Sequence, residues 1–369
     1  MYHLRLKGSH YEMGKKLGHI FLKAGIMFPL QKLDDFQRQF GTASGAVLKN
    51  FFPEIAEEIR GIMDTVQADI GLFTAWLMCM GCCLYNLDES WTAETRGCTA
   101  FAFSYGSEVY YGRNNDLPPF LHKGCKRILY APRGSTRFIL NTSSFTNGEE
   151  GMNEHGLAAA MTFVLPNLEE IRPGLNALFL IRFIRAEGLI PRRSASGLLI
   201  LEKCRTTEEA VTILKKLPVS SPANILLCDK NGNMAVAEVS SDTKKIRECN
   251  INPYGSKFII AANHFTVEQM RRYYNSDGNI FRSQERYKTV FDAFQNKIES
   301  PVEFAMDVLR GRYGFICQYG KEENFKTAWS SVFNLSELSI YCAAGSPDKK
   351  RFTEDECLKK CGNCEVKMF

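Results

Sequence analysis

The chain has 369 residues, 45% hydrophobic and 24% charged, with a formal net charge of +5 from 46 basic and 41 acidic side chains. This is the composition of a globular protein able to bury a large core, as one domain or two. The basic residues are scattered, which leaves no footprint for nucleic acid and no polybasic membrane patch.

Residues 1–97 read as helical. Tyr11 to Gly25 carries Met13, Leu17, Ile20, Phe21 and Ala24 at the three-and-four spacing of one apolar helix face. Ala46 to Leu87 continues with amphipathic and then apolar stretches, and Pro53 marks a helix start or break. The apolar run Ile70 to Leu87 is interrupted by Thr74 and Asn86. It is too short and mixed to span a bilayer, so a buried helix is expected.

The N-terminus lacks the apolar core of a signal peptide. The 13 cysteines are odd in number and irregular in spacing, which points to reduced thiols and a cytoplasmic setting. Cys79, Cys82 and Cys83 read as core packing. Cys357, Cys361 and Cys364 lack a matching fourth ligand and make a poor zinc site. Neither a metal nor a cofactor is expected.

From Cys98 the texture changes to short strands. Residues 99–105 and 108–112 flank a Gly106-Ser107 turn as a hairpin does. Arg127 to Ala131, Arg137 to Thr142 and Leu157 to Val164 follow as strands, the last after the turn Asn153-Glu-His-Gly156. Ala177 to Glu187 reads as a helix, and Thr206-Thr-Glu-Glu209 caps another. Ala223 to Cys228 and Met234 to Val239 form a second hairpin. A buried strand at Phe258 to Ala262, helices over 283–294 and from Ser300, and strands at 328–333 and 339–343 complete the chain. Helices, strands, helices and strands in that order favour an α+β layered fold over a doubly wound parallel sheet.

The informative segment is Arg96-Gly-Cys98-Thr followed by Tyr111-Gly-Arg-Asn-Asn-Asp116. A cysteine begins one strand, and the returning strand brings Arg113 and Asp116 back towards it. A guanidinium beside a thiol favours the nucleophilic thiolate. The six histidines sit in no local signature of a papain-like thiol protease. If Cys98 becomes an N-terminus, its own α-amino group, with an ordinary pKa of roughly 7.7 to 8.0, can accept the thiol proton. Gly97 suits such a cut, because it tolerates strained backbone and close approach. The alternatives are a buried structural cysteine at Cys98, a structural Arg113–Asp116 ion pair, and an Arg286 on a helix surface.

Six segments, that one included, carry a family resemblance. They are Gly8-Ser-His-Tyr-Glu-Met-Gly14, Gly97-Cys-Thr99 with Gly112-Arg-Asn-Asn-Asp116, Gly151-Met-Asn-Glu-His-Gly-Leu157, Ala262-Asn-His-Phe265, Ser283-Gln-Glu-Arg-Tyr287 and Trp329-Ser-Ser-Val-Phe333. Through them the chain resembles the penicillin acyltransferase family, a branch of the N-terminal nucleophile hydrolases related to choloylglycine and linear amide hydrolases. The resemblance implies a four-layer αββα fold and self-cleavage between Gly97 and Cys98. Residues 1–97 would then be a small chain that stays attached to a catalytic part, residues 98–369.

It also implies that Cys98 is both self-cleaving residue and nucleophile, and that Arg113 and Asp116 hold the new amine and tune the thiol. Asn263 would donate to the oxyanion, and Arg286 would complete the charge network. Choloylglycine-type relatives place Asn where this chain has Phe163, so a backbone N–H near Phe163 would be the second donor. The expected partner is a small-molecule amide or acyl donor in a pocket lined by Phe101, Phe103, Phe120, Phe163 and Phe265; the alternative is that these rings are core. The other reading is a processing-deficient relative that binds a small molecule without cutting.

Overall fold

A computed structural model describes residues 1–26, 33–80, 97–144, 146–182, 200–274, 282–320 and 325–360. The N-terminal elements are β1 (Tyr2–Gly8), α1 (His10–Lys23), α2 (Asp35–Phe51), α3 (Pro53–Val66) and α4 (Ile70–Met80). Next come β2 (Gly97–Tyr105), β3 (Glu108–Leu117), β4 (Lys126–Pro132), β5 (Phe138–Thr142), β6 (Glu150–Asn153) and β7 (Leu157–Phe163). Helices α5 (Ala177–Arg182), α6 (Ile200–Lys203) and α7 (Thr207–Leu214) precede β8 (Ala223–Asp229), β9 (Met234–Val239), β10 (Lys244–Arg247), β11 (Asn250–Ile251) and β12 (Lys257–Ala261). The chain continues with α8 (Ser283–Ala293), α9 (Pro301–Arg310), β13 (Lys326–Asn334), β14 (Ser339–Ala343) and β15 (Thr353–Asp355).

Among the described residues the strands form an eight-stranded sheet, β1-β4-β5-β6-β7-β8-β9-β10, and a seven-stranded sheet, β11-β12-β2-β3-β13-β14-β15. The β1–β4 pair is parallel and the other named ladders are antiparallel. The outer face of the larger sheet, with Tyr130, Phe138 and Ile225, packs on Leu17, Ile59, Phe73 and Ile181 of the helices. The outer face of the smaller sheet, with Phe101, Phe103 and Ile260, packs on Phe294 and Leu309 of the α8–α9 region. Between the sheets lie Ala100, Ala102, Tyr111, Ala158 and Ala160. Side chains alternate faces along a strand, and alanines at the inward positions let the two sheets approach. The result is the expected α+β arrangement in four layers, αββα.

The N-terminal region departs from its wholly helical reading, because it opens with a strand. His3-Leu-Arg-Leu-Lys alternates polar and apolar residues, and β1 pairs with β4 through Leu4↔Ile128 and Leu6↔Tyr130. Helices follow as expected, although α2 begins at Asp35, well ahead of the expected Ala46. Ser9 accepts the Glu12 N–H and the Glu12 carboxylate accepts the Ser9 N–H, a reciprocal cap on α1. Pro53 opens α3. Residues 81–96, with Cys82, Cys83 and the polar segment before Gly97, lie outside the described residues. So do residues 183–187 of the expected fifth helix, Cys361, Cys364 and the Phe120 side chain. Among the described residues, no helix is long and apolar enough to cross a membrane.

Helices α1 and α3 meet through glycines. A Cβ on Gly14 would stand 2.0 Å from the Glu58 carbonyl oxygen, and one on Gly61 would stand 2.3 Å from that of Tyr11. The Gly14 of the early motif is therefore a packing residue. Gly14→Ala is expected to lower stability by about 1–3 kcal/mol through overpacking, although Ala is the better helix former. Urea unfolding measures this; a variant as stable as the wild type would show that the helices move apart at no cost.

Candidate active site

Cys98 is the second residue of β2, which lies between β12 and β3 in the smaller sheet. The β2–β3 hairpin places Cys98 opposite Asn115 and Gly97 opposite Asp116. Face alternation then divides the site. Cys98, Arg113 and Asn115 point between the sheets with Ala100, Ala102 and Tyr111. Asp116 and Thr99 point to the other face, where Phe101 and the helices lie. Arg113 and Asp116 therefore cannot both touch the sulfur, and they serve different ends of the site.

The inward set is a small buried polar cluster. Arg113 Nη2 lies 3.1 Å from Cys98 Sγ and donates to Asn115 Oδ1 at 2.6 Å. Cys98 Sγ lies 3.2 Å from the same Oδ1, and Arg113 Nη1 donates to the Met161 carbonyl at 2.5 Å. Cys98 is only 4% exposed, while Arg113 and Asn115 are fully buried.

The outward set holds the backbone at the Gly97–Cys98 junction. The Cys98 N–H donates to Asn263 Oδ1 at 2.8 Å. Arg286, reaching in from α8, donates to the Cys98 carbonyl at 2.7 Å, to Thr99 Oγ1 at 2.5 Å and to Asn263 Oδ1 at 2.7 Å. Arg286 is completely buried, which overturns the surface reading. Asp116 accepts hydrogen bonds from Tyr319 OH and Thr327 Oγ1, each 2.7 Å. A Cβ on Gly97 would stand 3.3 Å from the Asp116 Cβ and 3.6 Å from Arg286 Nη2. Glycine thus keeps the peptide before Cys98 open to these groups.

Asn263 and Phe163 are engaged otherwise than the oxyanion reading expects. Asn263 Nδ2 donates at 2.7 Å to the Phe163 carbonyl, so Phe163 meets the site with an acceptor. Two donors, Cys98 N–H and Arg286, converge on Asn263 Oδ1 and fix which way the amide points. The Asn263 N–H in turn donates to Ser283 Oγ at 2.8 Å.

Burial dominates the electrostatics. It pushes the Cys98 thiol above its ordinary pKa; Arg113 and Arg286 pull it down, Asp116 and Glu149 push it up, and burial prevails. The expected thiolate-favouring effect of Arg113 is present but outweighed. Burial likewise raises Asp116, against Arg286, its two hydrogen bonds and Arg113. Burial and then the cationic neighbours Arg286, Arg247 and Arg271 hold His264 down at about 4. Its ring meets Ser283 Oγ at 2.7 Å, and among the described residues no imidazole contacts the Cys98 sulfur, as a papain-like enzyme requires.

Because the guanidinium opposes the effect of burial, Arg113→Met is expected to move Cys98 alkylation by iodoacetamide to still higher pH. Mass-resolved labelling across a pH series reads the midpoint; an unshifted profile would mean that Arg113 does not act on the thiol.

Several quoted segments turn out to be scaffolding. Asn153 donates to the Leu201 and Cys204 carbonyls at 3.0 and 2.7 Å and accepts the His155 and Leu157 N–H groups, shaping the turn before β7. Trp329 and Ser331 both donate to the buried Glu150 carboxylate at 2.7 Å. Phe101 and Phe103 stack with Phe294 and Phe304 in the outer core, away from the face that carries Cys98. Phe163 packs in the helix-side core and Phe265 with Met270 and Tyr273, so these four rings are core.

The sequence gives Asn115 and Ser283 a place in motifs but no role, and it does not single out Tyr319 or Thr327. A signal for Asn115 existed, since Cys98 and Asn115 are equidistant from the Gly106-Ser107 turn and so face each other across the ladder.

The two-sheet αββα sandwich is the architecture of the N-terminal nucleophile hydrolases. The sequence pattern of the family described as acyl-coenzyme A:6-aminopenicillanic acid acyl-transferase matches residues 104–188 and 197–349, and the chain belongs to that family. Membership places it among amide hydrolases and acyltransferases. Solved structures similar to it include penicillin V acylase from Agrobacterium tumefaciens, 18% identical over 67% of this chain and 83% of that one, with a TM-score of 0.41. A mutant of conjugated bile acid hydrolase from Clostridium perfringens is 12% identical over 74% of this chain and 96% of that one, with a TM-score of 0.43. No curated protein matches the chain in sequence.

Proposed function

We propose that the protein is a self-processing cysteine amide hydrolase or acyltransferase that acts on a small linear amide or acyl donor through Cys98. The observation that supports this best is the tethering of Cys98 at three points. Arg113 and Asn115 hold the sulfur, Asn263 the nitrogen and Arg286 the carbonyl. A merely structural cysteine needs none of these.

In the first step the Cys98 sulfur attacks the Gly97 carbonyl, the C–N bond to Cys98 breaks, and the nitrogen leaves as an amine. Water then takes the Gly97 acyl group from sulfur. The chain becomes a small part, residues 1–97, and a catalytic part, residues 98–369. The two stay together because β1 and the Glu58 carboxylate of the first part are built into the sheet and core of the second. The free amine, held by Asn263 Oδ1 and with Asp116 opposite Gly97, becomes the base that the uncut chain lacks. It takes the thiol proton, the sulfur attacks the substrate carbonyl, and the resulting ammonium protonates the leaving amine. Asn263 Nδ2 stabilises the oxyanion once it exchanges the Phe163 carbonyl for it. Water or a second nucleophile then removes the acyl group from sulfur. The irregular cysteines suit a reducing compartment, the cytoplasm.

The test is the denatured mass and N-terminal sequence of freshly purified wild-type protein. Two chains, the larger beginning at Cys98, are expected. A single chain would remove the base from the mechanism and leave the binding-protein reading.

A further inference from the structure

Asn115 stands next to Asp116 on β3, opposite Cys98, and the resemblance assigns it no role. Its geometry is nevertheless specific. Oδ1 receives Arg113 Nη2 at 2.6 Å and lies 3.2 Å from Cys98 Sγ, and two donors on one atom fix the amide's orientation. Nδ2 is then the remaining end. It is buried, and among the described residues no acceptor lies within hydrogen-bonding distance of it. A buried amide donor without an acceptor costs about 1–3 kcal/mol, so such a group calls for a ligand or a function.

The position fits one. The oxygen and nitrogen of an amide are about 2.2 Å apart, so with Oδ1 3.2 Å from the sulfur, Nδ2 lies no more than about 5.5 Å from it. An acyl oxygen on Sγ, about 2.7 Å from the sulfur, is then close enough for Nδ2 to reach it with a hydrogen bond of about 2.9 Å. Asn115 and Asn263 also approach Cys98 from opposite sides, one on β3 and one just beyond β12, which flank β2. Phe163, where the second donor was expected, meets Asn263 with its carbonyl.

We propose that Asn115 Nδ2 is the second oxyanion donor for acyl transfer at Cys98, in place of the backbone N–H near Phe163. The inference rests on Cys98 being the nucleophile. As the sulfur attacks, a C–S bond forms and the carbonyl π pair moves to oxygen, where Nδ2 donates to it. Collapse restores the C=O bond and expels the leaving group, which takes the proton that the thiol released. Arg113 acts here as a positioning residue, because its bond to Oδ1 keeps Nδ2 turned to the oxyanion.

The test compares two probes on wild type, Asn115→Leu and Asn115→Asp, reading mass gain at Cys98 with time. Acylation by p-nitrophenyl acetate passes through an oxyanion, whereas alkylation by iodoacetamide does not. Both use the same thiolate, so the ratio of the two rates cancels any change in the thiolate population. The expected ratio falls by roughly 10²-fold or more in each variant. Asn115→Asp keeps the acceptor for Arg113 and serves if Asn115→Leu does not fold. A ratio equal to wild type would overturn the assignment and make Asn115 a support for the thiol alone. Wild-type Cys98 that alkylates but does not acylate would overturn it as well. Wild-type Cys98 inert to both probes would sink the nucleophile reading itself, a separate failure.

Discussion

Cys98→Ala is expected to remain a single chain of 41.8 kDa and to lose about 10⁶-fold in amide turnover, the scale set by removing the nucleophile of a serine hydrolase triad. The geometry offers no substitute. Thr99, the next hydroxyl, is on the opposite face of β2 with its oxygen taken by Arg286. Arg113 and Asn115 would face an alanine methyl, and the Asn263 and Arg286 contacts to the backbone would persist. The variant should therefore fold, and its loss should be chemical. Intact mass and a panel of amide substrates measure the two effects side by side. Continued cutting at residue 97 in the variant would assign the reaction to another group or to a contaminating protease.

Arg182→Met is expected to destabilise the protein by about 3–5 kcal/mol, because it leaves a buried carboxylate uncompensated. Arg182 and Glu58 are completely buried and bonded to each other by both guanidinium arms, one at 2.8 Å. The same guanidinium donates to the Thr146 carbonyl at 2.8 Å and stands 4.0 Å from the centre of the Tyr130 ring. The melting midpoint should fall by on the order of 10 °C. If the chain is cut as proposed, Glu58 falls in residues 1–97 and Arg182 in residues 98–369, so in cut protein the same variant should release residues 1–97 under mild denaturant. Arg182→Met combined with Glu58→Gln should recover much of the loss, since removing the stranded charge removes its desolvation cost. A double variant no more stable than Arg182→Met would show that the loss comes from packing.

Acyl transfer without self-cleavage would fit poorly with the uncut site. Burial raises the Cys98 thiol, and among the described residues nothing basic and neutral touches the sulfur. The proposed cut would supply such a group, the Cys98 α-amino nitrogen, beside Asn263 Oδ1.

Local pattern carried much of the protein. The β2–β3 hairpin follows from β-forming residues around Gly106-Ser107, and α1 from its reciprocal cap and apolar stripe. Cys98, Arg113, Asn263 and Arg286 were nameable in the sequence because they stand in short motifs, and the structure brings these four together. The tertiary structure alone decided what each motif residue touches. Strand parity put Arg113 on the sulfur and Asp116 beside Gly97, and helix packing turned Gly14 into a contact with α3. β1 escaped a reading tuned to helical periods, because its partner β4 lies more than a hundred residues away. Sequence fixes short-range geometry through backbone sterics and side-chain period. The charge state of a thiol and the free end of an amide depend on burial and on atoms brought from distant segments, which exist only once the two sheets have closed on each other.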